Sequence, residues 1–399
     1  MKDYKRDFPQ LDNDYVYIDS AATTLTPTTV IDAINDYYRN YSVNIHRGMY
    51  KQSYEATEIY ENTREKVAAF IGAKTEEIVY TRGTTSALNL LAQRYGNRIL
   101  NKGDDIVISE LAHHSSLLPW QHIARETGAN LRYVPLDSEG RLIVDNVKKT
   151  LTDKTKIVVL THVSNVMGYL APVKEVTELA HGIGAKVVLD AAQAVSHVPI
   201  DVKQLNVDFM AFSAHKMVGP TGIGVLFGKH DLLESMEPLE YGGDMVDFVE
   251  KDHAVWKDVP QRFEAGTMPI ASVFGLSKAI DYLEAIGLKQ IHDHVVKLAK
   301  MTIDGLRSIE GVEIYNKHSD SGIVTFNLKK VPSHDALSYY AEENVALRAG
   351  HHCAMLVGKK LGVNSTLRAS FYLYNDEKDV RRFLDVTKQA VDYFRTLGF

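Results

Sequence analysis

The feature that most constrains the fold is an alternation. Short apolar runs rich in β-branched residues recur at 15–19, 77–81, 105–109, 131–135, 156–161, 186–190, 208–213 and 223–227. Amphipathic stretches at 55–71, 85–94, 115–127 and 173–183 fall between them. This order predicts strands and helices in turn, and hence a mainly parallel sheet covered by helices on both faces. The strand runs are apolar throughout, as a sheet buried on both sides requires. Near residue 272 the texture changes. A long helical region runs to about 309, β-like runs follow at 322–328 and 367–372, and a last helix at 376–394 opens with Asp376-Glu377. Acidic residues suit a helix start, where the backbone dipole is positive. The reading is an α/β chain in two domains: a large one over 19–271, and a smaller α+β one built from 1–18 and 272–399.

Charge and cysteine count narrow the function. The 399 residues carry 45 Lys and Arg against 51 Asp and Glu, a net charge of −6. A nucleic-acid partner, which calls for a basic excess, is not expected. The single cysteine, Cys353, rules out an intrachain disulfide and a multi-cysteine metal site. A reducing cytoplasm is the expected compartment. Residues 1–19 show no apolar targeting core, and no apolar run approaches the roughly 20 residues that cross a bilayer.

Ligands of open α/β sheets bind at the carboxyl ends of the strands, so the polar residues after each run are the candidates. Arg82-Gly83-Thr84-Thr85-Ser86 follows the run at 77–81. It reads either as an ordinary helix cap or as a cradle for a phosphate. Asp190-Ala191-Ala192-Gln193 follows the run at 186–190, and Ser213-Ala214-His215-Lys216 follows that at 208–213. The Lys precedes the glycines of Gly219-Pro220-Thr221-Gly222-Ile223-Gly224, the wrong order for a P-loop, and no dinucleotide fingerprint opens the first helix. A lysine at a buried strand end is costly unless paired or neutralised, and a Schiff base neutralises it. An aspartate on a neighbouring strand end could then face the nitrogen of a pyridine ring, and the hydroxyls its phosphate. Three strand ends thus supply the three anchors that pyridoxal 5′-phosphate needs. His113 and His114 suit a stacked or capping role better than a metal, since no zinc spacing accompanies them. In Arg348-Ala349-Gly350-His351-His352-Cys353 the thiol is either an inert buried group or a nucleophile favoured by cationic neighbours.

Together these stretches resemble the SufS-type cysteine desulfurases, the group II branch of the aminotransferase class V, fold-type I pyridoxal-phosphate enzymes. The resemblance spans nearly the whole chain. It also takes in Asp19-Ser20-Ala21-Ala22, Asn44-Ile45-His46-Arg47-Gly48, Thr161-His162-Val163-Ser164-Asn165, Arg262-Phe263-Glu264-Ala265-Gly266-Thr267 and Arg368-Ala369-Ser370. It implies a seven-stranded, mainly parallel sheet in the large domain. It implies Lys216 as the Schiff-base lysine, Asp190 as the partner of the ring nitrogen, Gln193 as donor to the ring hydroxyl and His113 stacked on the ring. Thr84, Thr85, Ser213 and His215 are implied as phosphate ligands, with Thr267 reaching across from a second subunit. Arg368 and Asn165 are implied at the substrate carboxylate, with Arg348, His46 and Ala21 also toward the substrate. Cys353 is implied as the nucleophile that takes sulfur from L-cysteine, in a homodimer that passes it to an acceptor of the SufE or SufU kind for iron–sulfur cluster assembly. The sequence departs from the family at Ala112, at Tyr241 and at Met355-Leu356-Val357 beside the thiol. Selenocysteine lyase activity on the same scaffold and a non-catalytic sulfur carrier are the alternatives.

Overall fold

In the computed structural model, which describes residues 3–11 and 15–398, the apolar runs of the middle of the chain form one sheet. Residues 1–2, 12–14 and 399, assigned above to the small domain, lie outside the described residues. After a short strand β1 (Val16–Tyr17) come β2 (Ile78–Thr81), β3 (Asp105–Ser109), β4 (Asn130–Val134), β5 (Thr155–Thr161), β6 (Lys186–Asp190), β7 (Phe209–Ser213) and β8 (Gly224–Gly228). The last seven make a sheet of order β2-β8-β7-β6-β5-β3-β4, parallel except where β8 runs against both its neighbours. Successive side chains of a strand point to opposite faces. On β5, Val158 and Leu160 join the core under helices Thr28–Asp36, Lys51–Ile71, Val173–Gly182 and Ile270–Ile286. Ile157 and Val159 join the core under His114–Thr127 and the helical segment that starts at Thr84.

A third core gathers Val16 and Ile18 with residues of Leu288–Arg307, Ser333–Glu342 and Glu377–Thr396. It covers an antiparallel sheet. After a separate hairpin of β9 (Val246–Val249) and β10 (Ala254–Trp256), its strands are β11 (Val312–Ile314) and β12 (Ile323–Leu328), then β14 (Arg348–Gly350) and β15 (Thr366–Ser370), arranged β11-β12-β15-β14. β1 pairs instead with β13 (Val345–Ala346), so the run at 15–19 is not part of the large sheet. The helical region expected over 272–309 is two helices, broken at Gly287, whose φ of +93° turns the chain out of the first. Asp376 caps the last helix through the N–H groups of Lys378 and Asp379. No helix among the described residues is long and apolar enough to cross a membrane.

The edge strand β2 leaves backbone groups that another chain could pair with. Two buried side chains close that edge. Glu264 accepts the Tyr80 N–H at 2.7 Å, and Arg64 donates to the Ile78 carbonyl at 3.0 Å. The two side chains meet in a bidentate pair of 2.6 and 2.9 Å, with 1% and 5% exposure. Arg64 also meets Glu61 at 2.8 Å, but Glu264 has no other cation among the described residues, so removing the arginine leaves a carboxylate buried without a counter-ion, which costs about 3–5 kcal/mol. Arg64→Gln is therefore expected to lower stability by that amount in urea unfolding. A loss under about 1 kcal/mol, the range of exposed pairs, would contradict this account of the edge.

Candidate active site

The carboxyl ends of β2, β5, β6 and β7 open into a cavity of about 450 Å³. It is lined by Thr84, Thr85, His113, Asn165, Asp190, Gln193, Ser213, His215 and Lys216 from the large-sheet side, and by Ala21, Arg348, His352, Cys353 and Arg368 from other segments. Every candidate from the sequence is here except His46 and Thr267. His46 lies apart because its ring pairs with Glu61 at 3.0 Å on the helix Lys51–Ile71, and its N–H is held by Thr57 at 2.9 Å. Thr267 faces a separate cavity of about 600 Å³, with Arg82, Ser86 and Phe263. One chain alone does not bring either residue to the site.

The hydroxyl cradle is built by close backbone approach. Gly83 has φ +149°, and a side chain at Gly224 would lie 2.5 Å from its Cα. This packing sets the Thr84 N–H and Oγ1 at 2.8 and 2.7 Å from Ser213 Oγ. Thr85 meets Ser115 at 2.8 Å, and His215 Nδ1 lies 3.2 Å from Thr23 Oγ1. Burial holds the His215 ring down to about 4, so it is neutral near pH 7.

Around the lysine direct contacts are sparse. Lys216 ends a short 3-10 turn after β7, and its amine has no hydrogen bond or ion pair among the described residues. Burial pushes it below its ordinary range, while Asp190 pulls the other way. Asp190 is itself buried and anchored, accepting from Ser116 Oγ at 2.5 Å and from the Ala192 N–H at 3.1 Å. His113 caps the helix His114–Thr127, its Nδ1 accepting the Ser115 N–H at 3.1 Å. The neutral ring therefore carries its proton on Nε2. Burial, with Lys216 second, holds it down to about 4. Gln193 Nε2 donates to the Ala21 carbonyl at 2.7 Å and retains a second N–H.

Cys353 is exposed at this cavity on a loop that is pinned. The His352 carbonyl accepts from Asn165 Nδ2 at 2.6 Å, and the Cys353 carbonyl accepts the His114 N–H at 2.7 Å. His352 and Cys353 both hold left-handed backbone, φ +51° and +54°, conformations that cost non-glycine residues of order 1–3 kcal/mol and cluster at functional sites. The departing residues Met355-Leu356-Val357 start a helix, Met355–Leu361. Tyr241 is exposed against Trp256, away from the cavity, and Ala112 is buried.

Buried polar atoms without partners point to a ligand. Seven such side-chain atoms occur among the described residues, and four of them, Thr161 Oγ1, Asn165 Oδ1, His352 Nδ1 and Arg368 Nε, belong to this cavity's lining. One member escaped the reading of the sequence. Asp19 sits between Arg348 and Arg368, at 3.0–3.3 Å from each. The signal was its place in Asp19-Ser20-Ala21-Ala22, in a chain where the two arginines had no assigned counter-ion.

An open, mostly parallel sheet with a lysine, an aspartate and a hydroxyl cradle at its strand ends defines the fold of pyridoxal-phosphate-dependent transferases. The chain belongs to the aminotransferase class-V family, whose model matches residues 16–383. A Halalkalibacterium halodurans protein named "Probable cysteine desulfurase" is 48% identical over 98% of both chains, and a Staphylococcus aureus protein of the same name is 47% identical over 98% of this chain and 96% of its own. Among solved structures, a cysteine desulfurase of Thermococcus onnurineus matches with TM-score 0.94 and 41% identity. An Escherichia coli cysteine desulfurase bearing an S-sulfonic acid matches with 0.93 and 38%; each of these two pairs covers 98% of both chains.

Two buried histidines make stability pH-dependent. Burial holds His162 down to about 4 and His197 down to about 3. Unfolded histidine titrates near 6.5, so the unfolded chain binds more protons between these values. Their contribution is full above about pH 6.5 and is lost as pH falls toward about 4. Thermal denaturation is expected to show Tm falling from pH 7 to 5, with a shallower fall in His197→Gln. A flat Tm over that interval would show that both rings protonate without cost.

Proposed function

We propose that the chain is a pyridoxal-5′-phosphate-dependent cysteine desulfurase of the SufS type, which converts L-cysteine to L-alanine and leaves the sulfur as a persulfide on Cys353. One observation carries the reading: a single cavity gathers an unpaired lysine, four partnerless buried polar atoms and the chain's only thiol. The names of the relatives support the same activity.

The residues present fit the cofactor. Lys216 would hold its aldehyde through Nζ, Asp190 its ring nitrogen, Gln193 its ring hydroxyl and His113 its face. Thr84, Thr85, Ser213 and His215 would hold the phosphate. When bound, the cofactor stabilises negative charge at the substrate Cα. The Lys216 amine, favoured in its neutral form by burial, is suited to take and return the Cα proton. Arg368 seats the α-carboxylate, with Asn165 beside it. The Cys353 thiolate bonds to the substrate sulfur as the substrate's C–S bond breaks. The electron pair stays with carbon, whose protonation completes alanine. With no second cysteine in the chain, the sulfur must then leave to another molecule, and an acceptor of the SufE or SufU type serving iron–sulfur cluster assembly in the cytoplasm fits that need.

We read the active unit as a homodimer, because Thr267 lies outside its own chain's cavity and would serve the phosphate of a second copy. We likewise divide the chain at 19–271 and at 1–18 with 272–399, the joint falling within the helix Ile270–Ile286.

The purified protein is expected to show a visible absorption band that borohydride bleaches, and to form alanine from L-cysteine. Lys216→Ala should lose the bleachable band, and Cys353→Ser should keep it while alanine formation with an acceptor falls at least about 100-fold. A colourless protein that forms no alanine would overturn the proposal, and full turnover by Cys353→Ser would overturn the role of the thiol.

A further inference from the structure

Two helices begin at the thiol loop. One, His114–Thr127, starts on the large-sheet side, and the other, Met355–Leu361, starts just after Cys353. The first N–H groups of a helix have no partner inside it and must find one elsewhere. Here each start serves the other. The His114 N–H donates to the Cys353 carbonyl at 2.7 Å, and the Met355 N–H donates to His114 Nε2 at 3.3 Å. One residue thus grips the loop at Cys353 and again just beyond it.

The grip falls where the backbone needs it. His352 and Cys353 both hold left-handed backbone, which persists only when the surroundings over-determine it. Among the described residues, three hydrogen bonds tie backbone groups of 352–355 to distant parts of the chain. Asn165 Nδ2 makes one of them, to the His352 carbonyl, and His114 makes the other two. To accept, Nε2 must be unprotonated, so the neutral His114 ring carries its proton on Nδ1, the opposite tautomer to His113. Burial, with the charge of His351 second, holds the His114 ring below the ordinary histidine range, which keeps that acceptor free near pH 7. The two histidines divide the work. His113 faces the cavity and caps its own helix, while His114 stands outside the cavity lining and turns to the loop.

We propose that His114 is a positioning residue for the sulfur-transfer step: its imidazole and its backbone N–H hold Cys353 at the cavity in the turn from which the thiol reaches the substrate. This rests on the reading of Cys353 as the sulfur acceptor. A thiolate must approach the substrate sulfur in line with the breaking C–S bond, and a loop released from one of its tethers spends less time in that geometry. The imidazole is the part of the grip that a substitution removes. His114→Phe keeps a flat ring without an acceptor, and His114→Gln restores an acceptor at the reach of Nε2.

The test follows the cofactor-loaded protein by mass after mixing with L-cysteine and no acceptor. In His114→Phe the maximal rate of persulfide formation per cofactor-bearing chain is expected to fall about fivefold, the effect of one hydrogen bond, while the cysteine concentration giving half that rate stays within about twofold. His114→Gln is expected to recover to within about twofold of wild type. Hydrogen exchange of the Met355 amide should be about fivefold faster in His114→Phe and near the wild-type rate in His114→Gln. An unchanged maximal rate or an unchanged amide in His114→Phe, or no recovery in His114→Gln, would overturn the inference. Should His114→Phe lose the visible band, His114→Asn decides, because its shorter amide cannot reach the Met355 N–H. The same fall is expected there, and an undiminished rate would overturn the inference. The two readings fail apart. Wild-type protein that gains no sulfur overturns the role of Cys353 and that of His114 with it, whereas His114→Phe that gains sulfur as fast as wild type overturns the role of His114 alone.

Discussion

Three basic side chains around one cavity are the constraint on which the rest of the site depends. Lys216, Arg348 and Arg368 could not share these walls without compensation, and the compensation comes from two buried carboxylates, Asp190 and Asp19. Asp190 is delivered by the end of a parallel strand and locked by Ser116 and the Ala192 N–H. Asp19 is delivered by a segment stitched to the end of β15. The lysine is the one basic side chain of the three with no partner of its own, and burial keeps its amine below the ordinary lysine range and available for covalent chemistry.

The large sheet places these groups as a consequence of its topology. Parallel strands buried on both faces must end at the same side, and their carboxyl ends converge where polar residues can meet. The smaller antiparallel sheet adds what the large one cannot supply: two arginines in register, and the loop with the thiol. Asn165 and His114 tie that loop down from the large-sheet side. A loop held by both sheets keeps Cys353 at the cavity and exposed, which suits the sulfur transfer proposed for it.

Much of this was legible in the residues. The strands at 105–109 and 186–190 carry Ile106-Val107-Ile108 and Val187-Val188-Leu189 between polar ends, and they fall where the pattern puts them. The run at 15–19 misleads, because a two-residue strand pairing with Val345–Ala346 is decided by distant chain and not by local preference. The break at Gly287 hides inside a helical periodicity that continues on both sides of it. His46 and Thr267 belong to stretches that carry the resemblance yet lie outside the cavity, because the His46 ring is drawn to Glu61 and Thr267 faces a separate hollow. Asp19 went unread because its function comes from two arginines more than 300 residues away, a pairing that no local spacing can signal.

The central claim is that sulfur leaves L-cysteine onto Cys353, and the mass of the protein reads it directly. Exposed to L-cysteine without an acceptor, the intact chain should gain the mass of one sulfur atom, removable by a thiol reductant and confined to the peptide holding Cys353. Alanine formed with no such adduct, or an adduct that persists in Cys353→Ser, would contradict the account.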